Sequence, residues 1–172
     1  MIKPALSFAM LAALFCLIPN VGFSGMEIGN AHFTELNNKT GKFKVEYPDN
    51  WAVVDHGLAA SLTERVIVKA NTPDSAITPN GVMLNSISLT EIHSNADLLD
   101  YLTKTYPERT WIAKTIGGRS AFESTDTPSG ASGVIYVLKA DRDVLSMFYK
   151  MREEKILLEQ LSHIRDTLKF YP

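Results

Sequence analysis

Four histidines, His32, His56, His93 and His163, each stand near a carboxylate: Glu35, Asp55, Asp97 and Asp166. Imidazole with carboxylate is a ligand set for a divalent metal. Zinc sites place two ligands at helical or turn spacing, as in His-Glu-x-x-His, because both must reach one ion. Here no two histidines fall within 20 residues of each other, and Cys16 is the only cysteine. The spacing predicts surface histidines and no metal site.

Serine chemistry is equally thin. Gly130-Ala131-Ser132-Gly133 approaches a nucleophile elbow, but that motif needs Gly-x-Ser-x-Gly, and Val134 stands where the last glycine belongs. No Ser-x-x-Lys occurs. Gly41-Lys42 runs straight into Phe43 without the glycine-rich lead-in of a phosphate loop. Gly117-Gly118 has no helix behind it to receive a phosphate. Asp141 and Asp143 flank Arg142, and Glu153-Glu154 open a helix. Glycosidase acids must oppose each other across roughly 5–9.5 Å, and these read instead as turn and helix-start residues, where acids favour the macrodipole. Trp51, Trp111, Tyr47, Tyr101, Tyr106, Tyr136 and Tyr149 fall at strand or helix positions that core packing explains. An aromatic platform for a sugar or peptide is the sharper alternative. No residue is assigned a catalytic, cofactor-binding or metal role, and no cofactor is expected.

The elements that carry these side chains are legible from periodicity. Phe43, Val45 and Tyr47 alternate with Lys44 and Glu46, as in a half-buried strand. A Pro48-Asp49-Asn50 turn leads to a second strand at 51–54. A third is predicted at 65–70, a long loop at 71–81, and a strand through Asn85, Ile87 and Leu89. Ser94, with Asp97 three residues on, predicts a helix N-cap with a variant capping box, and Pro107 ends that helix. Strands 110–116 and 119–124 are joined by Gly117-Gly118, a hairpin signal. A loop at 126–133 whose composition suggests flexibility precedes strands 134–138 and 144–149. The chain closes in a helix at 152–168 with the stripe Leu157, Leu161, Ile164, Leu168. Short turns imply antiparallel pairing. The prediction is an α+β domain, one antiparallel sheet packed by two amphipathic helices.

The first residues have another purpose. Lys3 is the only charge before Glu27, and residues 5–18 are apolar except Ser7. Pro19 and Gly22-Phe23-Ser24 complete the pattern of a secretory signal peptide, with cleavage expected after Ser24. A membrane span needs roughly 20 apolar residues, and this run is shorter and broken by Pro19-Asn20. A lipoprotein would want a small residue before Cys16, where Phe15 stands. The chain has 172 residues, 45% hydrophobic and 21% charged. Removing 1–24 leaves 148 residues without cysteine, so the core alone must hold the domain. Loss of Lys3 takes 17 basic residues to 16 against 19 acidic, a net of −3. That balance gives no electrostatic reason to expect nucleic acid or an anionic membrane. The expected organisation is a leader (1–24), a polar lead-in segment (25–41) and a single domain (42–172).

Phe43-Lys44-Val45-Glu46-Tyr47-Pro48-Asp49-Asn50-Trp51 resembles the opening of PsbP-like domains, where a strand runs into a tyrosine-proline turn and a tryptophan. Ile116-Gly117-Gly118-Arg119-Ser120-Ala121 is similar to their hairpin, and 164–170 to their terminal helix and phenylalanine. The resemblance implies their fold, shared with a small Ran-binding nuclear import factor. Bacterial members of the family include exported proteins and lipoproteins. The best-known member binds and stabilises the oxygen-evolving centre of photosystem II without catalysing anything, and nothing in this sequence points to photosynthesis. Fold likeness carries architecture further than activity.

The expectation is therefore an exported, periplasmic or secreted, non-enzymatic accessory or binding domain. Its partner would be a protein or small ligand of the envelope, with no nucleic acid and no stable membrane insertion after signal cleavage. The alternative is an envelope hydrolase whose residues converge only in the fold. A hydrolase needs a deep pocket with perturbed acids or histidine; a binding domain needs a shallow groove or apolar patch. If the function is binding, the loops at 71–81 and 126–133 are the expected contact regions.

Overall fold

The computed structural model describes residues 31–64 and 80–171. Ten strands and two helices follow one another in these segments. They are β1 (Phe33–Asn38), β2 (Phe43–Pro48), β3 (Trp51–Asp55), β4 (Ala59–Glu64), β5 (Gly81–Ser88), α1 (Asn95–Thr105), β6 (Ile112–Ile116), β7 (Arg119–Thr125), β8 (Ser132–Ala140), β9 (Asp143–Lys150), α2 (Lys155–Thr167) and β10 (Lys169–Phe170). They build two antiparallel sheets, a small one in the order β1-β2-β10 and a seven-stranded one in the order β3-β4-β5-β9-β8-β7-β6. The expected single sheet is thus two: β2 is paired on both sides, with β1 and β10, and after Pro48 the chain turns into the edge of the larger sheet.

The large sheet is the middle layer, with apolar side chains on both faces. On one face, Leu62, Leu84, Val137 and Leu145 meet Phe43 and Val45 of the small sheet and Leu157, Leu161 and Ile164 of α2. On the other, Phe122, Val134, Tyr136 and Val144 meet Leu98 and Leu102 of α1. Alternation along each strand feeds both cores, so β8 reads almost continuously apolar. No described helix is long and apolar enough to cross a membrane.

Local chemistry explains the element ends. Ser94 Oγ accepts the Asp97 amide at 3.2 Å, while Asp97 Oδ2 accepts the His93 amide at 3.1 Å. Hydrogen bonding to the carboxylate itself, first by the Ser94 hydroxyl and then by the His93 amide, holds the Asp97 carboxyl below its ordinary range. The helix stops at Thr105, just before Pro107. Helix α2 is shorter than its stripe: Leu168 lies past its end yet is buried, 1% exposed. Gly117 and Gly118 take φ of 56° and 73° in the β6–β7 turn, which L side chains resist. At Gly117 an added Cβ would also strike the Leu168 carbonyl and the Phe170 ring.

Several expectations change. Residues 33–38, within the polar lead-in, form β1, which pairs with all of β2 from Phe33↔Pro48 to Asn38↔Phe43. As an edge strand it exposes most side chains, so no apolar alternation announced it. Strand β4 was not expected; its inward side chains are only Ala60 and Leu62, too little for a period-2 signal. The leader (1–24), the strand predicted at 65–70 and residues 71–79 of the predicted loop lie outside the described residues.

Candidate functional site

The acids and histidines weighed above are distributed among separate structural contacts. His93 Nδ1 lies 2.6 Å from Asp141 Oδ1, joining the approach to α1 to the β8–β9 turn. His163 Nε2 lies 2.9 Å from Glu46 Oε2, and its ring centroid is 3.8 Å from that of Phe33, which binds α2 to the small sheet. Asp55 accepts from Asn38 Nδ2 and the Gly57 amide, both at 2.9 Å. Glu35 pairs with Lys44 at 2.9 Å. Asp141 and Asp143 serve different partners, His93 and Lys139. Glu153 accepts from Ser129, and Glu154 stands at the N-cap of α2 without a side-chain capping bond and pairs with Arg152. Among the described residues no three of His, Cys, Asp and Glu converge.

Two buried charges went unremarked in the sequence. Glu123 on β7, 5% exposed, accepts at Oε1 from Tyr149 Oη and Arg165 Nη1, both at 2.8 Å. Lys114 Nζ stands 3.6 Å from its other oxygen. Burial, then the bond to Glu123, raises the Tyr149 phenol well above its ordinary value. Lys139, 3% exposed, donates to the Gly41 carbonyl at 2.8 Å and to Ser86 Oγ, and pairs with Asp143 at 3.0 Å. Burial pushes its ammonium below the usual lysine range. Glu123 and Lys139 hold layers together: the first ties α2 to the large sheet, the second the β1–β2 turn to β5 and β9. Both sit at inward parity on their strands, Glu123 two residues from Ala121 and Lys139 two from Val137. A charge at an inward position was the available signal.

The aromatics are mostly core. Trp51, Tyr136 and Tyr149 are 2%, 4% and 4% exposed. Tyr106, Trp111 and Tyr136 pack with ring centroids 5.8–6.3 Å apart under α1.

The site with binding geometry lies at the β6 edge of the large sheet. An open cleft of about 350 Å³ is walled by Glu108, Arg109 and Thr110 after α1, Ile112 of β6, Ser124 and Thr125 of β7, and Asp126. Asp126 begins the loop at 126–133, which is tied down by its own bonds: Asp126 N to Ser132 O (2.8 Å), Ser132 Oγ to Asp126 Oδ2 (3.0 Å) and Ala131 N to Thr127 Oγ1 (3.0 Å). The loop read as flexible is a hydrogen-bonded wall. Ile112 is 52% exposed on a strand paired only with β7. Arg109 Nη1 lies 2.9 Å from Asp126 Oδ1 but off the axis of a hydrogen bond, so this buried nitrogen has no acceptor. Trp111 Nε1, two residues on, is also buried without one. Buried donors without partners are costly. The rest of the Arg109 side chain, 24% exposed, faces an acceptor that a ligand would bring to the cleft. No signal in the sequence singled out Arg109.

No protein-family model and no curated protein matches the chain. Solved structures do. The solution structure of cyanobacterial PsbP (CyanoP) from Synechocystis sp. PCC 6803 superposes with a TM-score of 0.51 at 10% identity, over 87% of this chain and 98% of that one. A crystal structure from Bacteroides thetaiotaomicron gives 0.51 at 10% identity, over 80% of this chain and 48% of that one. The Ran-binding protein Mog1p of Saccharomyces cerevisiae gives 0.44 at 8% identity, over 82% and 96%. At such identities the likeness concerns architecture alone, and the chain has a PsbP-like α+β fold of two helices and antiparallel sheets.

Proposed function

We propose that this chain is an exported, non-enzymatic accessory domain of the cell envelope that binds a protein or small ligand in the cleft beside β6. The carrying observation is the open cleft itself, walled by the Arg109–Asp126 ion pair and the exposed Ile112. A ligand carboxylate or carbonyl there would gain a charge-assisted bond from the exposed part of the Arg109 guanidinium. Ile112 offers apolar contact at the same mouth. The leader pattern of residues 1–24 supports export.

The test uses the mature domain as bait against the native envelope, beside Arg109→Ala and Ile112→Ser proteins whose folding is verified by circular dichroism. Losing one central charged contact should weaken capture about tenfold, the equivalent of ~1.4 kcal/mol. Equal capture by all three proteins rejects the cleft. N-terminal sequencing of the native protein should give a start near Gly25; an intact Met1 in the cytosolic fraction rejects export.

A further inference from the structure

A second pocket, sharing no lining residue with the β6 cleft, lies where the turn between β1 and β2 meets Tyr171. Its volume is about 360 Å³, and it is lined by Asn37, Lys39, Lys42 and Tyr171. No acid lines it. Lys39, Lys42 and the nearby Lys169 make no ion pair with any described residue, whereas Lys44 is neutralised by Glu35. Lys169 stands directly opposite Lys44 in the β10–β2 register. This concentration of ammonium groups occurs in a chain whose net charge is −2.

The turn is held rigidly. Gly41 N donates to Asn38 Oδ1 at 2.5 Å, the Gly41 carbonyl accepts from buried Lys139, and Tyr171 N donates to the Lys42 carbonyl at 3.1 Å. Lys42 adopts φ of 56°, a left-handed conformation uncommon for lysine. Tyr171 brings the independent observation: its hydroxyl is buried and has no hydrogen-bond partner among the described residues. A phenol is a good donor to an oxyanion, and two ammonium groups beside it supply the charge.

We propose that the pocket formed by Lys39, Lys42 and Tyr171 binds an oxyanion, specifically a phosphate group, free or carried on a lipid headgroup. Lys39 and Lys42 neutralise it as point charges, Asn37 donates to one oxygen, and a turn of the Tyr171 side chain brings its now buried Oη to another. The site is separate from the β6 cleft and stands or falls independently of it.

The experiment titrates inorganic phosphate into the ¹⁵N-labelled mature protein at constant ionic strength and follows backbone amides. A parallel arm sediments the protein with phosphatidylglycerol or phosphatidylcholine vesicles. Saturable shifts at residues 39–42 and 171 are expected. They should disappear in a Lys39→Gln/Lys42→Gln protein and weaken about tenfold in Tyr171→Phe, the loss of one bond to a charged group. Lys155→Gln, at the first residue of α2 and 91% exposed at its side chain, should bind like the unaltered chain. Phosphate binding identifies a free-ion site. Sedimentation with phosphatidylglycerol alone, lost in the double variant, identifies a headgroup site. Binding of neither, or binding that survives the double substitution, overturns the proposal.

Discussion

Removing the carboxylate of Asp143 should harm the fold more than removing the lysine it pairs with. Lys139 lies on the inward face of β8, beside the irregularity in the β8–β9 ladder between Leu138 and Ala140. Its ammonium is 3% exposed and touches Asp143, Ser86 and the Gly41 carbonyl, whereas Asp143 is 32% exposed at its side chain. Asp143→Asn keeps the shape but strands a buried cation among neutral acceptors. Breaking a buried pair costs ~3–5 kcal/mol; partial solvent access at Asp143 should bring this to about 2–3 kcal/mol. Lys139→Met removes the cation together with its desolvation penalty and leaves the Gly41 carbonyl without a donor, about 1–2 kcal/mol. Against a total stability of ~5–15 kcal/mol, both are measurable by urea denaturation followed through Trp51 and Trp111 fluorescence. The pH dependence separates them further. Burial depresses the Lys139 pKa and Asp143 opposes that depression, so Asp143→Asn should lower it more. Above the native pKa the folded chain gives up this proton while the unfolded chain holds it to about 10.5. Stability from this group should therefore rise with pH through that window, more steeply in Asp143→Asn. Greater damage from Lys139→Met, or no change in either variant, refutes the reasoning.

Leu161, 1% exposed on α2, should cost ~2–5 kcal/mol as Leu161→Ala; an unchanged melting temperature would show that α2 does not hold the large sheet. Burial raises the phenols of Tyr136 and Tyr149 above the ordinary value of 10.0. Their contribution to stability is intact below pH 10 and is lost as pH climbs beyond it. Absorbance at 295 nm near about pH 11 should then report fewer phenolates than the chain's six tyrosines until the protein unfolds; six titrating in the native state contradicts their burial. Chelation with EDTA should leave the melting curve unchanged, since only a ligand bound to the native state raises it; a loss restored by zinc or calcium contradicts this.

Elements whose side chains answer to one core were legible in the sequence. The Ser94 cap, the Gly117-Gly118 hairpin and the Leu157–Leu161–Ile164 stripe each follow from local chemistry, and the structure has them in place. Strand β1 was hidden because an exposed edge needs no apolar alternation, and β4 because Ala60 and Leu62 suffice for its short inward face. The split into two sheets is set by the pairing of β2 with β1 and β10, which no window of sequence displays. The β6 cleft was half legible. The loop at 126–133 was marked by its length, and Asp126 does line the cleft. Arg109 was not marked, because its role comes from burial beside Asp126, a neighbour only in the fold. Tyr171 escaped for the same reason: its hydroxyl is without a partner only once β10 pairs with β2.

The most direct test places a photoreactive amino acid at position 112 in the full chain expressed in its native host, with a control at exposed His56 on the β3–β4 turn. Irradiation should yield a discrete adduct from position 112 in the envelope fraction, absent from position 56 and reduced about tenfold by Arg109→Ala. Adducts of equal yield from both positions, or an adduct that forms only in the cytosol, would contradict an exported domain that binds through the cleft beside β6.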